Sequence, residues 1–382
     1  MKFIHKRTLR SFTALLALFT LLSFPSITQA ADVAVPGKVI PNVVVVGVGG
    51  TITSTSPSRE LFQTYGTPRV PIKDIIQRLQ PELSKIANVT STELSNISSA
   101  QTSSKDLYNL TIAIDKELAN PAVNAVVVTT GTNIMEELAY WTDLTVRSAK
   151  PVVFTGSMRQ SNTISFDGEA NLLNAIRLAA SQKTAYYGTV LMMNDEFFAA
   201  REVTKTDALR LDTFDGGRYG ALGTVDENRI RAVRAPARVK DAGTEKWKTP
   251  FDLSTIQPED LAKVDIVYSY TEASATPITA LANDGVQGIV TAGHGAGGIS
   301  TAQQAARKEA IDKGVLFVSA TRAGSGAVYD TGAKGIIGAG DLLPQKARLL
   351  LQLGLTFSKD QEQIRQWFST IGMPDYDMSK IE

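Results

Sequence analysis

Cysteine is absent from the 382 residues of the chain, and histidine occurs only at His5 and His294. No disulfide can form, so a fold of this size must be held together by the packing of its core. A metal site built from cysteine and histidine is excluded, and a serine–histidine triad in the folded chain could use only His294. Nucleophilic chemistry therefore has to find its proton acceptor in lysine, tyrosine or a carboxylate.

Long apolar runs are equally scarce, and the one that stands out covers residues 13–24. It is preceded by the basic residues Lys2, Lys6, Arg7 and Arg10. The sequence Thr28-Gln29-Ala30 then offers the small residues that a signal peptidase reads, so residues 1–30 are predicted to be a signal peptide cleaved after Ala30. The alternative, an uncleaved anchor helix, is less favoured because a span needs about 20 apolar residues. We expect a periplasmic or secreted protein that is free of the membrane after cleavage.

A strong charge of either sign is also missing. The chain has 39 basic and 38 acidic residues, and four of the basic ones lie in the predicted signal peptide. The remaining chain is mildly acidic, which argues against nucleic-acid binding as its main function.

From residue 42 onward, short β-branched runs alternate with helical patterns, as is typical of parallel sheets with crossover helices. Strands are predicted at residues 43–48, 89–94, 125–129, 152–155 and 190–193. Helices with apolar residues spaced by three and four are predicted at residues 72–86, 105–118, 135–148 and 167–181. This pattern predicts a doubly wound, mainly parallel N-terminal domain.

A second alternating set follows a polar, proline-containing stretch at residues 235–250. Shorter strand-like runs come before it, at residues 223–225 and 229–233; after it, strands are predicted at 266–270, 288–292 and 316–319, with helices at 277–283, 301–312 and 346–355. We predict an α/β protein with a larger N-terminal domain at residues 40–234, a linker at 235–258 and a smaller parallel-sheet domain at 259–382.

Two glycine-containing turns with hydroxyl side chains follow predicted strands, where ligands of open α/β sheets bind. The first is Gly49-Gly50-Thr51, which could also be a plain turn or a phosphate-binding turn. It lacks the full dinucleotide spacing and the lysine of a P-loop, which argues against phosphate binding. The second is Gly131-Thr132-Asn133, followed by Glu136-Glu137. It could simply cap the next helix, or it could form an oxyanion site at that helix's N-terminus.

Lys205 lies in the threonine-rich segment Val203-Thr204-Lys205-Thr206. Most lysines are solvated surface charges, but a lysine among hydroxyls with a lowered pKa can accept a proton. In a chain with so little histidine, this second interpretation gains weight.

In combination, these motifs resemble those of the bacterial type II L-asparaginases. The resemblance rests on the two glycine turns, the lysine segment and several further motifs in the family's order, namely Gly156-Ser157-Met158-Arg159, Ser165-Phe166-Asp167-Gly168, Asn171-Leu172, Ile266-Val267-Tyr268 and Pro344-Gln345-Lys346-Ala347-Arg348. It covers nearly the whole chain after the predicted signal peptide, and the motifs are jointly specific.

The resemblance implies an amidohydrolase in which Thr51 is the nucleophile and Tyr65, in a flap after the first strand, is its hydroxyl partner. It also implies that Thr132 is a second catalytic threonine, lying against Lys205. Such enzymes need no metal or organic cofactor. The expected substrate is L-asparagine, with L-glutamine as a second candidate, and the expected assembly is a homotetramer.

For substrate binding, the resemblance assigns the α-carboxylate to Ser99 and the amide oxygen to the backbone near Ser157. Several positions depart from the family pattern. Asn133 replaces the aspartate that binds the substrate ammonium, and Glu272 replaces an asparagine that reaches into a neighbouring subunit's site. A short insertion near residues 100–104 leaves Ala100 where the family has Gln or Glu, with Gln101 as a substitute.

These departures keep a second function class open, a catalytically weak or inactive periplasmic protein that binds amino acids. The presence of Thr51, Tyr65, Thr132 and Lys205 argues against it, since a pure binding protein has no use for all four.

Overall fold

The computed structural model of the protein describes residues 40–376. The predicted signal peptide lies outside the described residues, so the structure does not test it. Within residues 40–376, none of the helices has the length and apolar character needed to span a bilayer.

The N-terminal part is built on an eight-stranded sheet. Ten strands lie in this part of the chain: β1 (Asn42–Gly49), β2 (Asn88–Ile97), β3 (Ala125–Thr129), β4 (Val152–Thr155), β5 (Thr189–Met193), β6 (Glu196–Ala199), β7 (Thr204–Lys205), β8 (Phe214–Asp215), β9 (Gly223–Asp226) and β10 (Arg229–Ala232). The sheet order is β10-β9-β6-β5-β4-β3-β1-β2, while β7 and β8 form a separate antiparallel pair. Strands β2, β1, β3, β4 and β5 are parallel, and β6, β9 and β10 continue the sheet in antiparallel pairs.

Four helices connect these strands: α1 (Ile72–Arg78), α2 (Ser104–Ala119), α3 (Met135–Thr145) and α4 (Gly168–Ala180). The prediction of a helix over residues 72–86 was wrong in its length. Pro81 has no N–H to donate and disfavours helical backbone at Gln80, so α1 ends early and a short 3-10 turn, Leu83–Lys85, follows.

The C-terminal part has its own four-stranded parallel sheet. Its strands, β11 (Val264–Tyr268), β12 (Gly288–Gly293), β13 (Leu316–Thr321) and β14 (Ile336–Gly338), pair in chain order. The helices of this part are α5 (Thr276–Asn283), α6 (Thr301–Asp312), α7 (Pro344–Phe357) and α8 (Gln361–Trp367). The sequence pattern did not predict β14 or α8, which are short and carry weak periodicity.

Burial on both faces of the first sheet explains the unbroken valine run of β1. Val44 and Val46 belong to one apolar cluster, while Val43 and Val45 belong to a second cluster on the other face. The first cluster also contains core residues of α3 and α7, so the C-terminal helix α7 packs on the N-terminal sheet layer. The predicted class, two α/β sheets of unequal size, is confirmed, while the exact domain bounds stay a prediction.

Candidate active site

Four of the predicted site residues follow the carboxyl ends of neighbouring parallel strands. Thr51 follows β1, Ser99 follows β2, Thr132 follows β3 and Ser157 follows β4. Because these strands are parallel, their carboxyl ends meet at one edge of the sheet. All four residues are buried there, with exposed fractions of 6%, 9%, 4% and 0%.

Two glycines bring three of these turns into direct contact. Gly50 has a φ of 88°, which favours glycine, and a Cβ there would lie 2.2 Å from the backbone nitrogen of Gly131. A Cβ at Gly131 would in turn lie 2.7 Å from the Cβ of Ser99. Only glycine allows such an approach, so Gly50 and Gly131 set the spacing between the turns of Thr51, Thr132 and Ser99.

The first hydroxyl pair joins Thr51 to Tyr65. Their oxygens lie 3.0 Å apart, within hydrogen-bonding distance. Thr51 is buried in a 3-10 turn, whereas 57% of Tyr65 is exposed in the loop before α1. That loop is held by a bond from Gly66 N–H to the Thr55 carbonyl and by the Gln160 amide, which donates to the Thr64 carbonyl at 3.3 Å. The structure thus brings the two predicted residues together.

The second pair joins Thr132 to Lys205. The Nζ of Lys205 donates to Thr132 Oγ1 at 2.9 Å and lies 3.4 Å from Asn133 Oδ1. Burial lowers the pKa of Lys205, while the charges of Asp207 and Glu136 act in the opposite direction. A lowered pKa increases the neutral fraction of the amine, and only the neutral amine accepts a proton. The lysine is therefore not a freely solvated surface charge.

Glu136 fixes the strand that carries this lysine. One carboxylate oxygen accepts bonds from Thr204 Oγ1 at 3.0 Å and from the Lys205 amide at 3.3 Å. The other oxygen accepts a bond from Gln345 Nε2 at 3.1 Å. From the sequence, Glu136 was noted only as a residue after the second glycine turn, with no role in the site. Its burial, with 6% exposed, and its partners 69 and 209 residues away were not readable from local sequence.

The turn at Ser157 is held by Asp167 of the Ser165-Phe166-Asp167-Gly168 motif. The carboxylate of Asp167 accepts bonds from the amides of Met158 at 2.9 Å and Arg159 at 3.0 Å. Burial raises the pKa of Asp167, and those two amide bonds counteract the rise. The hydroxyl of Ser157 donates to the Arg159 carbonyl at 2.6 Å, so this hydroxyl serves the turn itself.

Two predicted residues, Gln101 and Glu272, are not drawn into this cluster. Gln101 is exposed in the 3-10 turn Ser99–Gln101. Glu272 lies after β11 in left-handed backbone, with a φ of 58°, and is exposed. Asn133 is exposed at the rim of the cluster, where its Oδ1 accepts a bond from Lys205 Nζ at 3.4 Å. Among the described residues of this single chain, no hydrogen bond or ion pair joins Glu272 to Asn133.

His294 has no place in the cluster. It follows the end of β12 and forms a backbone bridge with Gly298, against which its ring packs closely. Within residues 40–376, its ring has no hydrogen bond to a hydroxyl group. The structure therefore offers no support for a serine–histidine triad.

A cavity of about 820 Å³ lies away from the cluster, and its walls include Tyr140, Arg201, Trp247 and Trp367. None of the eight predicted site residues lines it. The cluster lies instead at the carboxyl edge of the first sheet.

The buried turns suit acyl transfer. Thr51 offers a hydroxyl with a second hydroxyl in contact, Lys205 offers a proton acceptor, and the backbone of Gly131 to Asn133 precedes the N-terminus of α3. Helix N-termini and preorganised amides stabilise developing negative charge on a carbonyl oxygen.

Comparison with known proteins agrees with this geometry. Residues 42–238 match the family model described as Asparaginase, N-terminal, and residues 263–368 match the Glutaminase/Asparaginase C-terminal domain. The chain is 36% identical to the "Probable L-asparaginase periplasmic" of Haemophilus influenzae, covering 92% of this chain and 98% of that protein. It is 34% identical to the "Glutaminase-asparaginase" of Acinetobacter glutaminasificans, covering 86% of this chain and 98% of that protein.

A solved structure of similar shape is that of the probable cytoplasmic L-asparaginase from Campylobacter jejuni. The two share a TM-score of 0.79 and 34% sequence identity, over 86% of this chain and 99% of that one. With both family domains matched in order and relatives of this identity over most of its length, the chain belongs to the asparaginase family.

Proposed function

We propose that this protein hydrolyses the side-chain amide of L-asparagine to L-aspartate and ammonia, with Thr51 as the nucleophile. The observation that carries the proposal is the pairing of Thr51 with Tyr65 and of Thr132 with Lys205 on two turns that Gly50 and Gly131 hold in contact. This arrangement gives a buried hydroxyl a partner for its proton without any histidine.

In the first step, Thr51 Oγ1 attacks the amide carbonyl, and the Tyr65 hydroxyl relays the proton: it accepts the proton of Thr51 while it gives its own to the amide nitrogen. Backbone amides of the turns stabilise the negative oxygen of the tetrahedral intermediate. The bond from carbon to nitrogen then breaks, and ammonia leaves an ester on Thr51. Water hydrolyses this ester, which restores the Thr51 hydroxyl and releases aspartate.

The pair of Thr132 and Lys205 serves the proton transfers of the second step. The neutral amine accepts a proton from the attacking water by way of Thr132, and the ammonium returns a proton to the Thr51 oxygen as the ester bond breaks. Two features support this role: the 2.9 Å bond from Lys205 to Thr132, and the burial that lowers the pKa of the lysine.

Substrate binding is assigned to Ser99, Ser157, Asn133 and Glu272. Ser99, packed on Gly131 beside the nucleophile turn, binds the α-carboxylate, and the backbone at Ser157 helps to hold the amide oxygen. Asn133 and Glu272 exchange the usual charges, so Glu272 of a neighbouring subunit supplies the carboxylate for the substrate ammonium. This assignment requires an oligomer, and a homotetramer is proposed.

L-Glutamine is the second substrate to test. A relative whose name couples both activities supports this choice. One extra methylene changes binding in a pocket by only about 1–3 kcal/mol, so selectivity between the two amides is set by small differences.

We also propose that the protein is exported, on the basis of the signal-like residues 1–30. The relatives differ in this respect, since one is described as periplasmic and another as cytoplasmic. We also propose that residues 235–258 form a linker between the N-terminal and C-terminal domains.

An assay of ammonia release by the purified protein with L-asparagine, L-glutamine and their D-isomers tests the proposal. Rapid release from L-asparagine and slow release from the D-isomers is expected. Binding of L-asparagine without ammonia release would favour the amino-acid-binding alternative, which the family's enzymes and the intact hydroxyl pairs do not favour.

A further inference from the structure

A fully buried lysine lies behind the proposed active site. Lys346 is 1% exposed, and it lies in the first turn of α7, where the positive end of the helix dipole disfavours a cation. Burial lowers its pKa to about 8, against which the charge of Glu136 acts. Burying a charge in the first turn of a helix costs free energy, so a lysine kept there is expected to have a structural or functional role.

Within residues 40–376, the side-chain hydrogen bonds of Lys346 all go to one short segment of backbone, and its Nζ also lies over the Tyr140 ring, 5.8 Å from the centroid. Its Nζ donates to the carbonyl of Ala200 at 2.8 Å, to that of Arg201 at 3.0 Å, and to that of Val203. An ammonium group has three N–H donors, so the three carbonyls use all of them. The segment that they belong to ends at Lys205.

The eight-stranded sheet does not position residues 200–205, so other contacts must fix their path. Strand β6 is antiparallel to β5, and Ala200 N–H bonds to the carbonyl of Thr189, the first residue of β5. The chain at Ala200 is thus at the edge opposite the active site, and residues 200–205 must run back to reach Thr132. Only the two-residue strand β7 continues regular pairing there.

The residue next to Lys346 holds the other end of the same segment. Gln345 Nε2 donates to Glu136, and the far oxygen of Glu136 accepts from Thr204 and from the Lys205 amide. The first turn of α7 therefore contacts the lysine segment at both ends, directly through Lys346 and by way of Glu136 through Gln345.

We propose that Lys346 is a positioning residue for Lys205: by binding three carbonyls of residues 200–203, it fixes the path that delivers the Lys205 amine to Thr132. The C-terminal part of the chain thereby shapes the proton-transfer pair of the N-terminal part. This inference rests on the proposed function of Lys205.

The test compares Lys346→Met with the matched control Leu351→Ala. Met keeps the length of the side chain and removes every donor, while Leu351 is a fully buried residue of the same helix that packs at Gly288 of the C-terminal sheet. For Lys346→Met we expect kcat with L-asparagine to fall roughly 10- to 100-fold with little change in KM, because an error of about 1 Å in placing a catalytic group has effects of that size. The control is expected to lose thermal stability and to keep its kcat.

Amide hydrogen exchange gives a reading that does not depend on activity. Exchange in peptides covering residues 200–206 is expected to accelerate in Lys346→Met and to stay unchanged in the control. Unchanged exchange in this segment, or faster exchange with an unchanged kcat, would overturn the positioning role. If Lys205→Met itself proved fully active, the proposed function of Lys205 would fail, while the exchange result would still report on the contacts of Lys346.

If Lys346→Met does not fold, Lys346→Gln provides the second variant, because the glutamine amide keeps two N–H donors in the same buried place without a charge. It is expected to accelerate exchange in residues 200–206 and to lower kcat by a smaller factor. Wild-type exchange and wild-type kcat in Lys346→Gln would contradict the proposal in the same way.

Discussion

The two residue pairs of the site, Thr51 with Tyr65 and Thr132 with Lys205, are held in opposite ways. Tyr65 reaches Thr51 from a surface loop and is 57% exposed. Lys205 reaches Thr132 from a segment that Glu136, Gln345 and Lys346 hold by buried hydrogen bonds. The difference suggests a division of work, in which the Thr51 side is completed around the substrate and the Thr132 side is fixed before the substrate arrives.

The largest expected effect follows from removing the nucleophile of the first pair. Thr51→Ala should abolish ammonia release while L-aspartate still binds, because only the attacking oxygen is lost. Steady-state assays and calorimetric titration measure the two properties. His294→Ala is the control and should keep much of the activity, since its ring has no hydrogen bond to the described hydroxyls. Equal damage from both changes would contradict a threonine mechanism.

The next effect comes from the second pair. Lys205→Met should lower kcat by about 10²–10⁴-fold with the fold intact, the range typical of a lost general base. Lys116→Met, an exposed lysine on α2, is the matched control and should behave as wild type. The measurement is kcat together with the thermal midpoint. A wild-type kcat in Lys205→Met would return this lysine to the class of solvated surface charges.

Tyr65→Phe sharpens the comparison between the pairs. It removes one hydroxyl and leaves the ring, so a loss of roughly 10- to 100-fold is expected, as for a bond to a charged group worth about 1.5–3 kcal/mol. Because the loop of Tyr65 is completed around the substrate, the change should raise KM as well as lower kcat. A purely kcat effect would indicate that both pairs are fixed in advance.

The proposed contribution of a neighbouring subunit to the site is tested through Glu272 and Asn133. Glu272→Asn should lower kcat/KM for L-asparagine by roughly 10- to 100-fold, because the ammonium loses a charged partner. Asn133→Asp alone should gain little, since two carboxylates would then repel each other in the empty site. The double variant should recover more than the single effects predict, because residues that share a ligand are not additive. Simple additivity in the four values of kcat/KM would contradict the exchange of charges.

The smallest effect concerns the pH dependence of stability. The pKa of Lys346 is lowered from 10.5 to about 8, chiefly by burial. Between these values the unfolded chain binds the proton and the folded chain does not, so the free energy of unfolding rises with pH. Relative to Lys346→Met, the wild type should gain about 1 kcal/mol between pH 8 and pH 9, measured by urea denaturation. A difference between the two proteins that stays constant with pH would show that Lys346 does not titrate there.

The positions of the two turns that carry Thr51 and Thr132 were largely predictable from sequence. A buried valine strand that runs into Gly49-Gly50-Thr51 places Thr51 at a strand end, and the same logic places Thr132. Parallel strands then bring the two turns to one edge, and the contact of Gly50 with Gly131 fixes their spacing.

The segment that carries Lys205 was not predictable in the same way. Lys205 follows the antiparallel strand β6, so strand order alone puts it at the wrong edge. The scarcity of histidine made it a candidate proton acceptor, and the family resemblance paired it with Thr132. The bonds of Gln345 and Lys346 join residues 209 and 146 positions apart in the chain and arise from the packing of α7 on α3. Local patterns carry no record of such contacts.

The most direct test of the central claim is to locate the covalent intermediate. Wild-type protein mixed with excess L-asparagine and quenched in acid during its first turnovers should carry one aspartyl group on the peptide that contains Thr51, as detected by mass spectrometry. Thr51→Ala, treated in the same way, should carry none. An adduct on the peptide that contains Thr132, or a rapid burst of ammonia without any adduct, would contradict the assignment of Thr51 as the nucleophile.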